Sequence, residues 1–366
     1  MEFGISFLPD VDPTVCAPAD YFAGALELAE MADAGGLRAV KMTEHYLHPY
    51  GGYCPSPLGF LAAVAARTTR VRLVTGCILP AFHHPLQLAS EAAMVDALSG
   101  GRLEVGFARA YLPYEFAAFG VPLDESRARF EATVDTVVRL WTEPGVSVET
   151  PFFRLAAATS LPRPTQRPHP PVWCAAVRTP DSFVWAGRRG FGLLVSALRA
   201  PDHALPGLIA AYRRAYREHH PHAAGHGRVA ISLPLYVADG DAAAARESDA
   251  YLRRYLDVWA DAAGAWDGVS GRDYAGYTGM GAALRATTPE GMRRERSAVV
   301  GSPARVREAT RWLGEVVGVD EVLWQVDFGS MPREVASRSL ALFLDEVLPH
   351  LSTAARGTAA RSMNGT

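Results

Sequence analysis

Three short stretches of this 366-residue chain bring together side chains able to handle protons and phosphate. Glu44-His45 follows one apolar run, Gly76-Cys77 lies within a second, and Arg109 follows a third. A histidine beside a carboxylate can take up or release a proton near neutral pH. An arginine directly after a strand presents a planar fork that grips two phosphate oxygens at once. Placed at random, such groups are ordinary hydrogen-bonding pairs and surface ion pairs, so their position decides what they can do. His83-His84 before Pro85 shapes a turn and does not hold a metal, because no third or fourth ligand follows at a suitable spacing. No nucleophile elbow, P-loop or paired carboxylate dyad stands out, which disfavours hydrolase, kinase and glycosidase chemistry. The residues alone point to an enzyme that binds a phosphate-bearing or planar ligand, and leave its reaction open.

The elements that must carry these groups alternate along the chain. Short apolar runs at 2–8, 38–43, 71–79, 102–108, 172–176, 191–196, 229–237 and 321–326 read as strands. Helical spacing fills the gaps, as in Phe22, Ala25, Leu26 and Ala29, in 59–68, 86–97 and 124–141, and after Ser302-Pro303. Eight strands separated by helices predict a (β/α)8 TIM barrel, with a doubly wound open sheet as the lesser alternative, since no GxGxxG follows the first strand. In a barrel the active site lies at the C-terminal ends of the strands, which is where Glu44, His45, Gly76, Cys77 and Arg109 fall. One domain is expected over 1–352, with long segments at 143–171 and 262–299 as lids or mobile insertions at that face. A polar, aperiodic tail at 353–366 is expected to be disordered.

Bulk composition narrows the partners. A formal charge of −3 gives no electrostatic reason to bind nucleic acid. Cys16, Cys54, Cys77 and Cys174 show no CxxC spacing, and reduced thiols in the cytoplasm are expected. The acidic N-terminus lacks the pattern of a signal peptide, and no run has the ~18 apolar residues of a membrane span. Lys41 is the single lysine, an imbalance read first as coding bias.

Taken in order, several stretches resemble the bacterial-luciferase-like flavin monooxygenases over about residues 1–351. They are MEFGISFLP, TEHY, ARTTRVRLVTGCILPAFHHPLQLASEAAMVDALSGGRLEVGFAR, ESRARFEATVDTVVRLW, LPRPTQRPHPPVWCAA, VVGSPARVREATRWL, GVDEVLWQ and LFLDEVLPHL. The resemblance implies an FMN-dependent, two-component monooxygenase. Its reduced FMN would come from a separate flavin reductase, and one oxygen atom of O2 would enter a small organic substrate through a flavin C4a-peroxide. It implies catalytic roles for His45, beside the flavin, and for Glu44, which would orient His45 or neighbouring backbone. It implies flavin contacts from Gly76 and Cys77, often through a non-proline cis bond, and phosphate contacts from Arg109, Arg127, Ala176, Arg178 and Thr179. Phe7, Phe82, Phe107, Tyr111 and Phe328 are expected as the apolar substrate wall.

The sequence departs from the family pattern at Tyr46, where many members have a second histidine, and at Ala108, where luciferase has a reactive cysteine. These departures disfavour light emission. The stretch from His45 through Pro57 is similar to luciferase-like proteins of natural-product assembly, so the substrate could be a biosynthetic intermediate, including one bound to a carrier protein. Hydride transfer with F420 on the same fold, and a catalytically silent flavin-binding subunit, are the alternatives. A homodimer formed through the 86–98 helix is also expected.

Overall fold

The computed structural model describes residues 1–177, 179–196, 203–274 and 276–352. Eight parallel strands close into a barrel. They are β1 (Glu2–Phe7), β2 (Ala39–Met42), β3 (Arg72–Thr75), β4 (Leu103–Phe107), β7 (Val172–Ala175), β8 (Gly192–Ser196), β9 (Val229–Val237) and β11 (Glu321–Gln325). Consecutive members pair in parallel, β8 with β9, β9 with β11 and β11 with β1 completing the ring. The barrel expected from the alternating runs is therefore present. The open sheet is not.

The remaining strands are insertions. β5 (Val146–Glu149) and β6 (Arg154–Ala158) form an antiparallel hairpin within 143–171. The rest of that segment packs on the outside of the barrel, where Gln166 donates to Asp96 and to the Leu103 carbonyl. None of its residues lines the cavities at the strand ends, whereas Tyr277 of the second long segment does. There, turns at Gly264–Trp266 and Arg272–Tyr274 precede helices Met280–Ala286 and Pro289–Arg294. Strand β10 (Val299–Gly301) then extends the sheet beside the upper half of β9.

Both faces of the barrel strands are largely buried, and alternate residues divide between them. Phe3, Ile5 and Phe7 of β1 face the helices, as do Leu103, Val105 and Phe107 of β4, while Gly4, Ser6, Glu104 and Gly106 turn inward. A small interior cluster of Ala39, Val74, Trp173, Leu194, Ala230 and Leu323 plugs the barrel. Below that plug, buried Glu104 accepts from Trp173 Nε1 at 2.7 Å and pairs with Arg38 and Arg72. The outer helices bury large residues such as Trp141, whose Nε1 donates to the Ala89 carbonyl. The expected Ser302 cap forms, with Oγ accepting from the Arg305 amide.

The third strand is shorter than its apolar run. It ends at Thr75, and the chain leaves the sheet at Gly76, returning only as the isolated bridge of Ile78 to Phe107. The Gly76–Cys77 peptide is cis. Thr43 Oγ1 donates to the Gly76 carbonyl at 2.9 Å and so ties β2 to this turn.

Candidate active site

Two adjoining cavities of about 700 and 850 Å³ open at the C-terminal ends of the strands. His45, Thr43, Gly76, Cys77, Ala175 and Val177 line both. His45 is buried, and its Nδ1 lies 3.0 Å from Glu115 Oε1. The same oxygen accepts from the Tyr46 amide at 2.9 Å. Glu115 belongs to the short helix Pro113–Ala118 and is itself buried. With Nδ1 held by a carboxylate, Nε2 is the ring nitrogen that His45 can offer to a ligand.

Glu44 does something different from its neighbour. Its Oε1 accepts from Tyr46 Oη at 2.7 Å and meets His83 Nε2 at 2.7 Å, and its Oε2 accepts from the Leu79 amide at 3.2 Å. These contacts clasp the ends of β2 and β3 together. It is Glu115 that orients His45. Burial works against a charged His83 ring, but the hydrogen bond and charge of Glu44 outweigh it and raise the imidazole above its usual value.

Arg109 and Arg127 meet on the far side of the larger cavity. Between them stands Asp273 of the second long segment, with Oδ2 at 3.2 Å from Arg109 Nη1 and 3.4 Å from Arg127 Nε. Arg109 Nη2 donates to the Asp273 carbonyl, and the guanidinium lies 4.6 Å from the centre of the Tyr274 ring. Arg109 Nη1 is buried and makes no hydrogen bond of good geometry. Next to Arg109, helix Pro180–Arg188 begins, and Thr179 and Ser182 of its first turn line the same cavity. A helix N-terminus, two arginines, two hydroxyls and an unsatisfied buried N–H make a site whose chemistry suits a phosphate monoester. Backbone at Gly76-Cys77 and Ala175–Val177 lines the same cavity, where a ring system anchored by such a phosphate would lie. The residues present therefore fit FMN.

The structure thus brings His45, Gly76, Cys77, Arg109, Ala176, Thr179 and Tyr111 to one cavity, with Arg127 at its edge beside Arg109. Arg178 lies outside the described residues. The other expected wall residues lie elsewhere. Phe7 packs edge-on against Phe60 of the helix layer, Phe107 sits on the outer face of β4, and Phe328 is buried against Tyr255. Phe82 stacks on Phe119 at 4.5 Å beside a separate groove. The apolar wall is built instead by Tyr50, Tyr111, Tyr255, Trp259 and Tyr277. Tyr50 and Trp259 stack at 5.8 Å, and Trp259 Nε1 donates to Tyr111 Oη at 3.2 Å. Four of these five sit outside the strand-end windows, on a connecting loop, on helix Asp241–Ala263 and in the second long segment, which is why periodicity did not reach them.

The chain is similar to known proteins over most of its length. The model of the luciferase-like monooxygenase family matches residues 1–320. The oxygenase component of flavin-dependent trigonelline monooxygenase from Acinetobacter baylyi is 30% identical over 89% of each chain. The 4-hydroxyprotoasukamycin monooxygenase of Streptomyces nodosus subsp. asukaensis is 29% identical over 98% of this chain and 95% of that one. The crystal structure of monooxygenase RslO1 from Streptomyces bottropensis superposes with a TM-score of 0.84 at 39% identity, over 96% of this chain and 99% of the other. Two solved structures alike only in fold carry different cofactors, one FMN (20% identity, TM-score 0.77) and one an F420–acetone adduct (16%, 0.71).

Proposed function

The chain belongs to the luciferase-like monooxygenase family, and from that premise we propose that it is the oxygenase component of a two-component, FMN-dependent monooxygenase. One observation carries the reading: a buried, carboxylate-held histidine shares a cavity with a phosphate-type site at a helix N-terminus. Reduced FMN and O2 would oxygenate a small organic substrate, giving oxidised FMN and water. When bound, the cofactor would supply the two electrons that activate oxygen.

The chain's own residues would do the rest. Arg109, Arg127, Thr179 and Ser182 would hold the phosphate, and Arg109 would exchange Asp273 for it. The backbone at Gly76-Cys77 and Ala175–Val177 would hold the ring. Glu115 keeps a proton on His45 Nδ1, so that Nε2 can accept or return one at the reacting oxygen. Tyr50, Tyr111, Trp259 and Tyr277 would keep water out and so limit wasteful release of hydrogen peroxide. The aromatic wall suits a partly apolar, polycyclic or aromatic substrate. Together with one relative named 4-hydroxyprotoasukamycin monooxygenase, this supports a biosynthetic intermediate as substrate. A homodimer is part of the same proposal, with Met94 and Leu98 exposed on helix Pro85–Leu98, and light scattering tests it.

Anaerobic titration with reduced FMN and, in parallel, reduced F420 tests the cofactor. The expected result is tight binding of reduced FMN, followed on oxygenation without substrate by slow release of hydrogen peroxide from the wild type and fast release from His45→Ala. Preference for F420 with no oxygen consumption would replace oxygen transfer by hydride transfer.

A further inference from the structure

The single lysine of the chain is not at the surface. Lys41 is 8% exposed and points into the barrel, where its Nζ donates to Ser6 Oγ at 2.9 Å and Thr43 Oγ1 at 3.4 Å. Parallel pairing places Lys41 of β2, Ser6 of β1 and Gln325 of β11 side by side in one row, because Ser6 is the register partner of both. Ser232 of β9 joins them through a 3.5 Å contact to Ser6. Gln325 is 5% exposed and its Nε2 has no hydrogen-bond partner among the described residues. Barrel interiors at this level are ordinarily filled by branched apolar side chains. Here the row forms the polar floor of the smaller cavity, directly beneath His45 and Gly76-Cys77.

Two features make this a site and not merely a tolerated buried lysine. An ammonium carries three donors, and Lys41 meets only two acceptors among the described residues, both neutral hydroxyls. No carboxylate of the described residues reaches it either. Glu44 and Glu115 are committed to His83, Tyr46 and His45, while Glu104 and Glu321 pair with arginines below the interior plug. The titratable groups lining the cavity with Lys41 are His45, Cys77, Tyr50 and Tyr255. Burial pushes the ammonium down to about 8, with the neighbouring Cys77 acting weakly the other way. The position is also tightly kept, since a Cβ on Gly76 would collide with the Lys41 side chain from Cγ to Cε, so only glycine leaves room for the stem.

We infer that Lys41, Ser6, Ser232 and Gln325 form an oxyanion-binding floor that receives a delocalised anionic oxygen from the molecule bound in the mouth. A buried cation without a counter-charge is costly, and an entering anion removes that cost while satisfying the spare N–H donors of Lys41 and Gln325. Two ligands on the proposed reaction path carry such an oxygen. One is the deprotonated pyrimidine edge of reduced flavin. The other is the phenolate or enolate form of the organic substrate, the electron-rich form in which such a ring or carbon accepts electrophilic oxygen. The inference rests on the flavin monooxygenase reading, and the phenolate arm below tests it independently of FMN.

Because Lys41 is unique, protein grown with lysine labelled at 13Cε yields one side-chain resonance, which reports its protonation directly. The probes are 4-nitrophenolate against neutral nitrobenzene, and reduced against oxidised FMN under anaerobic conditions. The expected result is a rise of about one pH unit or more in the Lys41 titration midpoint with 4-nitrophenolate, with reduced FMN, or with both, and no rise with the neutral partner of each pair. The arm that responds identifies the source of the oxygen. In Lys41→Met the responding anion should bind at least tenfold more weakly, with nitrobenzene unchanged. A resonance indifferent to both anions overturns the inference, and that wild-type measurement stands even if the variant does not fold. Tight binding of reduced FMN together with a silent Lys41 in both arms would remove the floor and leave the flavin reading intact. Failure of reduced FMN to bind, with a response to 4-nitrophenolate, would do the reverse.

Discussion

Glu115 is the residue on which the proposed proton chemistry turns, although it touches no ligand site itself. Replacing it by alanine would leave the His45 ring and the Tyr46 amide without their shared acceptor. Two buried donors losing one charged acceptor should cost roughly 2–4 kcal/mol of stability. Glu115→Gln is the sharper test, because it keeps an oxygen for the Tyr46 amide and removes the carboxylate that faces His45 Nδ1. If His45 returns a proton through Nε2, the glutamine variant should fold with a melting temperature close to wild type. Its product-to-peroxide ratio should nevertheless fall, since the ring loses the carboxylate that orients it. An unchanged ratio would reduce Glu115 to packing. Neither residue's partner is legible in sequence: His45 could be assigned because it follows a strand, whereas Glu115, 70 positions further on, gives no local signal of contact.

Segments that cover the mouth act through charge as well as bulk. Asp273 stands between Arg109 and Arg127, where the proposed phosphate would go, and Tyr274 anchors the same turn by donating to the Ala110 carbonyl. Asp273→Ala should therefore tighten binding of reduced FMN. The gain should be modest, about two- to fivefold, because these ion pairs are partly exposed and pairs of that kind contribute at most ~1 kcal/mol. Fluorescence-detected titration of both proteins measures it, and equal or weaker binding in the variant would mean that Asp273 supports the arginines instead of competing for them. At this scale the sequence showed the eight strands and the arginines, because strand order and strand ends follow from periodicity and from fold rules. It misled on Phe7 and Phe107, since both faces of a barrel strand are apolar and alternation does not say which one points inward. The small residues Gly4, Ser6 and Gly106 were the signal that could have said so. Lys41 was visible as the only lysine, but its inward direction emerges only from the register of three strands.

Across the whole molecule, buried acids that lack a cation shape the response to pH. Burial raises Asp327 to about 7, against which its hydrogen bond from Tyr21 acts only in part, and Asp10 beside it is raised as well. Asp327 Oδ1 has no partner. A carboxyl raised in the folded state keeps its proton where the unfolded chain has already released it, so the folded state is favoured at low pH. Stability then falls as pH rises from about 4 towards 7, and no further above that. The Asp327 share is on the order of 2–4 kcal/mol at its largest, since a tenfold change in an acid's dissociation constant corresponds to about 1.4 kcal/mol. Asp327→Asn keeps an acceptor for Tyr21 and cannot ionise. Melting temperatures recorded from about pH 3.5 to about pH 8.5 should nearly coincide with wild type at the acid end and exceed it by several degrees at the alkaline end. Part of the slope should survive in the variant, because Glu321, raised to about 7 chiefly by burial, still releases its proton in the same window. Parallel curves for the two proteins would mean that Asp327 is ionised in the folded chain throughout, and that a cation or ordered water reaches its free oxygen.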